Sequence, residues 1–98
     1  MKRKTFIFNG RRCQVLADTY LSNGTLALIL KYGSGERRVV STNLCSCYQT
    51  KTQAFLDTNN NPGIDKFIEE NGIGKPMYVS QRSGFCQYPL YIIFRDSL

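Results

Sequence analysis

A chain of 98 residues has room for one domain around one core, which excludes a cofactor domain beside a substrate domain. Hydrophobic residues at 42% and charged residues at 20%, with six Tyr and six Phe spread along the chain, exclude a disordered polyampholyte. The absence of histidine removes Ser-His-Asp and Cys-His nucleophiles and the neutral-pH imidazole shuttle, and the formal charge is +6.

That charge is unevenly placed: residues 1–49 hold eight Lys/Arg against two acids, whereas residues 50–98 hold five against five. The basic start Lys2-Arg3-Lys4 is followed by Thr5-Phe6-Ile7-Phe8, too short a run for the apolar core of a signal peptide. No other run approaches a membrane span, so a cytoplasmic protein without a membrane partner is expected.

Asn9-Gly10 predicts a hairpin turn into a strand from Arg12 to Tyr20, with Cys13, Val15 and Ala17 on one face. Leu21 to Gly24 turns the chain again, and Asn23-Gly24-Thr25 reads as a turn rather than a glycosylation site. Thr25 to Tyr32 is nearly all apolar and suits a central strand covered on both faces. Its Leu and Ala would also suit a helix, but Gly33-Ser34-Gly35 limits it to strand length. Glu36 to Leu44 then alternates, completing a four-stranded antiparallel meander.

Cys45-Ser46-Cys47-Tyr48 continues or caps the last strand, Thr50 to Gln53 connects, and Ala54 to Asp57 is a further short strand. Asn61 as cap, Pro62 at the first helical position and Asp65 in the first turn predict a helix of about ten residues. Ile64, Phe67 and Ile68 form its buried stripe, Lys66, Glu69 and Glu70 face water, and Asn71-Gly72 ends it. Met77-Tyr78-Val79 and Leu90 to Phe94 return to strand, with Pro89 marking an edge or a strand start. The expected fold is α+β: a single domain over residues 1–98, in which one short helix packs on a twisted antiparallel sheet.

Four cysteines are the first candidates for chemistry. Cys45 and Cys47 leave the same face of an extended segment, and Cys13 and Cys86 would approach from other strands to close a four-thiolate structural zinc site. Buried or surface thiols are the alternative, and a disulfide framework is disfavoured in a reducing compartment. A catalytic role for Asp18 or Asp57 as paired carboxylates competes with turn formation, and Asp57 before Thr58-Asn59-Asn60 reads as a turn organiser. Gly33-Ser34-Gly35-Glu36 lacks the lysine and helix of a phosphate loop.

Lys2, Arg3, Lys4, Arg11, Arg12, Lys31, Arg37 and Arg38 are the candidate partner-binding residues, able to meet phosphate or an acidic protein. The six tyrosines suit base stacking, sheet-edge packing or a protein hot spot alike.

Asn23-Gly24-Thr25-Leu26-Ala27-Leu28, Phe55-Leu56-Asp57-Thr58-Asn59-Asn60, the run from Phe67 to Gly74 and the run from Ser83 to Tyr91 carry a likeness. They resemble a family of uncharacterised small proteins carried by phages and conjugative elements of Gram-positive and gut bacteria. The resemblance implies an accessory protein of a mobile element, a class that includes anti-CRISPR inhibitors. It supplies no catalytic residues. The expected function is a non-enzymatic inhibitor, a monomer or small homo-oligomer that binds a type II CRISPR effector nuclease and blocks guide or target-DNA loading. The alternative is a small basic nucleic-acid-binding regulator of the element.

Overall fold

The structure is a computed structural model that describes residues 4–20, 26–44 and 52–98. Strands β1 (Phe6–Phe8) and β2 (Arg11–Thr19) meet across Asn9 and Gly10, whose φ values of 51° and 79° are those of a two-residue hairpin turn. Strand β3 (Leu26–Tyr32) runs antiparallel to β2 from Cys13↔Tyr32 to Thr19↔Leu26. The expected turn at Leu21 to Thr25 lies outside the described residues. After Gly33-Ser34-Gly35, β4 (Arg37–Val39) pairs with the other side of β3, which makes β3 an inner strand of the sheet β1-β2-β3-β4.

The fourth expected strand does not run through to Leu44. It leaves the first sheet at Val40, and β5 (Ser41–Thr42) pairs with β6 (Gln53–Leu56) in a second four-stranded sheet of order β5-β6-β8-β7. The fold is therefore α+β with two antiparallel sheets rather than one. At the crossing, the Val40 N–H donates to Leu28 O at 2.9 Å, while Val40 O accepts from the Asp57 N–H at 2.8 Å. The Ser41 hydroxyl takes the Leu28 N–H at 3.0 Å and shares a 2.7 Å hydrogen bond with the Tyr20 hydroxyl. Val40 and Ser41 are consecutive and both buried, which an alternating strand on a half-solvated sheet does not allow.

The helix α1 (Ile64–Glu70) buries Ile64, Phe67 and Ile68 as expected, but it is shorter and starts later. Asn61 is not its cap: Pro62 and Gly63 occupy the middle of a turn closed by Ile64 N–H to Asn61 O at 3.1 Å. Gly63 has φ 87° and ψ 0°, the third position of a type II turn, which favours glycine and takes proline before it. Asn61 is instead buried at 3% exposure, its amide donating to Asp57 O at 3.1 Å. Asp57 organises its turn as expected, accepting from the Asn60 N–H at 3.1 Å and the Asn60 amide at 2.9 Å. At the other end, Gly72 N–H to Glu69 O and Ile73 N–H to Ile68 O close the helix in the Schellman pattern.

Strands β7 (Gly74–Ser83) and β8 (Cys86–Ile93) are longer than expected and join through Gly84-Phe85. Gly74 lies against the Ile92 carbonyl, which a Cβ would meet at 2.2 Å, so a side chain there would force the two strands apart. The register shifts between Pro76 and Ser80, where Tyr78 takes φ 60°. Pro89 sits inside β8 but beyond the last β6 pair, Phe55↔Leu90, so one of its flanks is an edge where proline is tolerated.

The main core lies between the inner face of the first sheet, α1 and one face of the second sheet, and includes Cys13, Val15, Leu28, Leu56, Ile68 and Tyr91. Phe67 meets the Phe6 and Phe8 rings edge-on at 6.1 and 5.1 Å. Leu44, Phe55 and Leu90 form a second cluster with Met77, Val79 and Tyr88. Adjacent β6 residues alternate between the clusters, Ala54 and Leu56 to the first and Phe55 to the second, so they cover opposite faces of the second sheet.

Ser41→Ala strands a buried N–H and is expected to cost about 1–3 kcal/mol in urea unfolding, with an unchanged denaturant slope. Tyr20→Phe leaves Ser41 on Leu28 and should cost less; the reverse order would refute this role for Ser41. Burial raises the pKa of Tyr91, helped by its 2.7 Å hydrogen bond to Glu69 and the charges of Glu69 and Asp65. Burial also raises Tyr20, partly opposed by the Ser41 hydrogen bond and reinforced by the Asp57 charge. Both folded values exceed the unfolded value near 10, so their contribution is complete below pH about 10 and is lost as pH rises through the folded values. Tyrosinate absorbance should lag behind that of free tyrosine until the fold is lost above that pH.

Candidate docking face

Because Cys13, Val15 and Ala17 point into the core, Arg12, Gln14 and Leu16 point out from β2. Strand pairing then builds the outer face row by row: Ile7 opposite Arg12, Gln14 opposite Lys31, and Lys31 opposite Arg37. The next row is aliphatic, with Leu16 opposite Ile29 and Ile29 opposite Val39. Ile7 and Val39 are exposed at 62% and 49%. A cleft of about 600 Å³ opens beside the cationic row, lined by Thr5, Arg12, Gln14, Lys31 and the Gly33-Ser34-Gly35 turn, with Cys13 and Tyr32 in its wall. Among the described residues no carboxylate lies within ion-pair distance of Arg12, Lys31 or Arg37.

The eight candidate cations thus divide. Arg12, Lys31 and Arg37 are brought together on the outer face. Arg11 and Arg38 have the opposite parity and serve the fold: Arg11 sits 3.9 Å over the Tyr32 ring and 3.3 Å from Glu36. Arg38 donates from Nη2 to Asn60 O at 2.9 Å and from Nε to Asn61 Oδ1, tying β4 to the turn after β6. Lys4 is exposed ahead of β1, and Lys2 and Arg3 lie outside the described residues. The aliphatic neighbours Ile7, Leu16, Ile29 and Val39 were not among the expected binding residues. Once the hairpin turns fix the register, the period-two alternation places them.

Among the described residues the tyrosines do not supply this face with stacking rings. Tyr20 is held by Ser41, Tyr32 is buried beneath Arg11, Tyr91 donates to Glu69, and Tyr88 joins the second cluster. Tyr78 stands exposed in β7, and Tyr48 lies outside the described residues. The carboxylates singled out from the sequence make local bonds: Asp18 accepts from the Thr19 N–H at 2.8 Å and Asp57 holds its turn.

Of the four candidate metal ligands, Cys45 and Cys47 lie outside the described residues, and Cys13 and Cys86 are free thiols. Cys13 is in the main core at 2% exposure, whereas Cys86 shares its strand parity with Tyr88 and Leu90 of the second cluster. These two thiols therefore lie on opposite sides of the second sheet and are not brought together. Among the described residues no three Cys, Asp or Glu side chains form a group able to hold a metal ion. No helix among them is long and apolar enough to cross a membrane.

A family model described as Domain of unknown function (DUF4313) matches residues 16–98. The chain belongs to that family. The matched region contains Lys31, Arg37, the crossing at Val40–Ser41 and the whole second sheet, while β1, Arg12 and Cys13 precede it. No curated protein and no solved structure matches the chain.

Burial raises the pKa of the Cys13 thiol, which keeps it protonated and unreactive. In native protein, iodoacetamide should label Cys86 at least about tenfold faster than Cys13, with the difference disappearing in urea. Equal native rates by peptide mass spectrometry would place Cys13 outside the core.

Proposed function

We propose that this protein is a non-enzymatic binding module that docks through the outer face of its first sheet on an acidic protein surface. The observation that carries the reading is the gathering of Arg12, Lys31 and Arg37 on one face, with Lys31 and Arg37 in the row beside Leu16, Ile29 and Val39. Apolar area flanked by arginine is the composition of a protein interface, and Asp18, opposite Ala27 at the far end of β2, is the carboxylate that shares this face. A single-strand nucleic-acid groove would call for stacking aromatics, and among the described residues the tyrosines are engaged elsewhere or stand on β7. The partner proposed is a type II CRISPR effector nuclease, blocked in guide or target-DNA loading. That choice rests on the resemblance to mobile-element accessory proteins.

The second reading, a nucleic-acid-binding regulator, is favoured by the same three cations and by the cleft beside them, which could seat a phosphate.

Mixing purified protein with a type II effector, with and without guide RNA, tests the first reading by size-exclusion chromatography and DNA cleavage. Co-elution and loss of cleavage are expected, and the double variant Lys31→Glu and Arg37→Glu should weaken both by about tenfold or more. No co-elution with undiminished cleavage would sink the inhibitor proposal. Binding to DNA or RNA alone, weakening with salt at a logarithmic slope of about −2 to −3 for three phosphate contacts, would favour the regulator instead.

A further inference from the structure

Two aromatic rings of the second sheet stand in water, outside the docking face. Phe85, at the tip of the β7–β8 hairpin, is 100% exposed, and Tyr78, at the register shift, is 92% exposed. Beyond Leu90 no β6 pair covers β8, so the hairpin continues as a two-stranded ribbon. Residues 74–93 carry Lys75 and Arg82 and no carboxylate. A large apolar ring held at the end of such a ribbon gains nothing from its own chain.

The chain also carries a place for such a ring. At the base of the ribbon a cavity of about 290 Å³ is lined by Pro76, Tyr78, Val79, Ser80, Pro89 and Leu90. Its size is near the lower limit for ligand pockets, suited to one ring rather than a cofactor. Tip and cavity are separated by four to five strand residues, roughly 13–17 Å, so Phe85 cannot fill the cavity of its own chain.

We propose that the β7–β8 ribbon is a self-association arm, through which Phe85 of each of two copies fills the cavity at the base of the other's ribbon. A two-fold axis between antiparallel ribbons makes both contacts at once and closes the assembly as a dimer. Phe85 and Tyr78 from two copies bring together roughly 600–1,000 Å² of aromatic surface. With the ribbon residues between them this approaches the ~1,200 Å² of the smaller stable interfaces, so the dimer is weak and depends on concentration. Each ribbon brings two cations and no carboxylate, a like-charge repulsion that helps keep the dimer weak.

Sedimentation equilibrium of the full chain from micromolar to millimolar concentration should show monomer converting to dimer. Phe85→Ser is expected to weaken the dimer by about tenfold or more, and Ser80→Lys, in the cavity lining, to do the same. Both positions are exposed, so circular dichroism and the urea midpoint should stay as in the parent protein. The chain has no tryptophan, so Phe85→Trp places a single indole at the tip. Its emission should shift to the blue over the same concentration range. A monomer at millimolar concentration, a dimer indifferent to Phe85→Ser, or an unshifted indole would each overturn the proposal. So would duplex DNA binding by a monomer that Phe85→Ser abolishes, which would assign the ribbon to nucleic acid.

Discussion

A strand that leaves one sheet for another gives up ladder hydrogen bonds at the crossing, and in a buried crossing each must be replaced. At Val40–Ser41 the replacement is complete on both sides: Val40 bonds Leu28 in the first sheet and Asp57 beside the second, and the Ser41 hydroxyl takes the Leu28 N–H. A hydroxyl suits this place because it accepts from the Leu28 N–H and still pairs with Tyr20. Without that hydroxyl the first sheet would hold an unpaired N–H, that of Leu28, in the core.

Much of the surrounding polar structure supports this junction. The loop from Asp57 to Asn61 follows β6 directly, and its turn is closed by Asp57 itself. Arg38, just before the crossing, binds Asn60 and Asn61 of that loop, so the cation spans the two sheets a second time. Helix α1 then starts from the Pro62-Gly63 turn and lays Phe67 against β1 while Tyr91 reaches Glu69 from β8. The main core is thus enclosed by elements that the junction aligns.

The same alternation sorts the basic residues by use. Cations on the inner parity of the first sheet, Arg11 and Arg38, find an aromatic ring, a carboxylate or loop oxygens. Cations on the outer parity, Arg12, Lys31 and Arg37, keep their charge available beside aliphatic side chains. Counting charge along the chain could not separate these groups, because neighbours such as Arg11 and Arg12, or Arg37 and Arg38, fall on opposite faces.

Local chemistry was legible in the sequence. Asn9-Gly10 and Gly33-Ser34-Gly35 set the hairpins, Asn71-Gly72 the helix end, Ile64, Phe67 and Ile68 the buried stripe, and Asp57 its turn, each through interactions within a few residues. Asn61-Pro62-Gly63 was legible only in part, since Asn-Pro reads as a helix cap while Pro-Gly at the next step makes a type II turn. The division into two sheets, the use of Ser41 and the separation of Cys13 from Cys86 depend on partners 13 or more residues away. The sequence by itself determined where the chain turns and which side chains share a strand face. Only the tertiary structure decided which face is covered, because that depends on how non-local strands pair and on which sheet each joins.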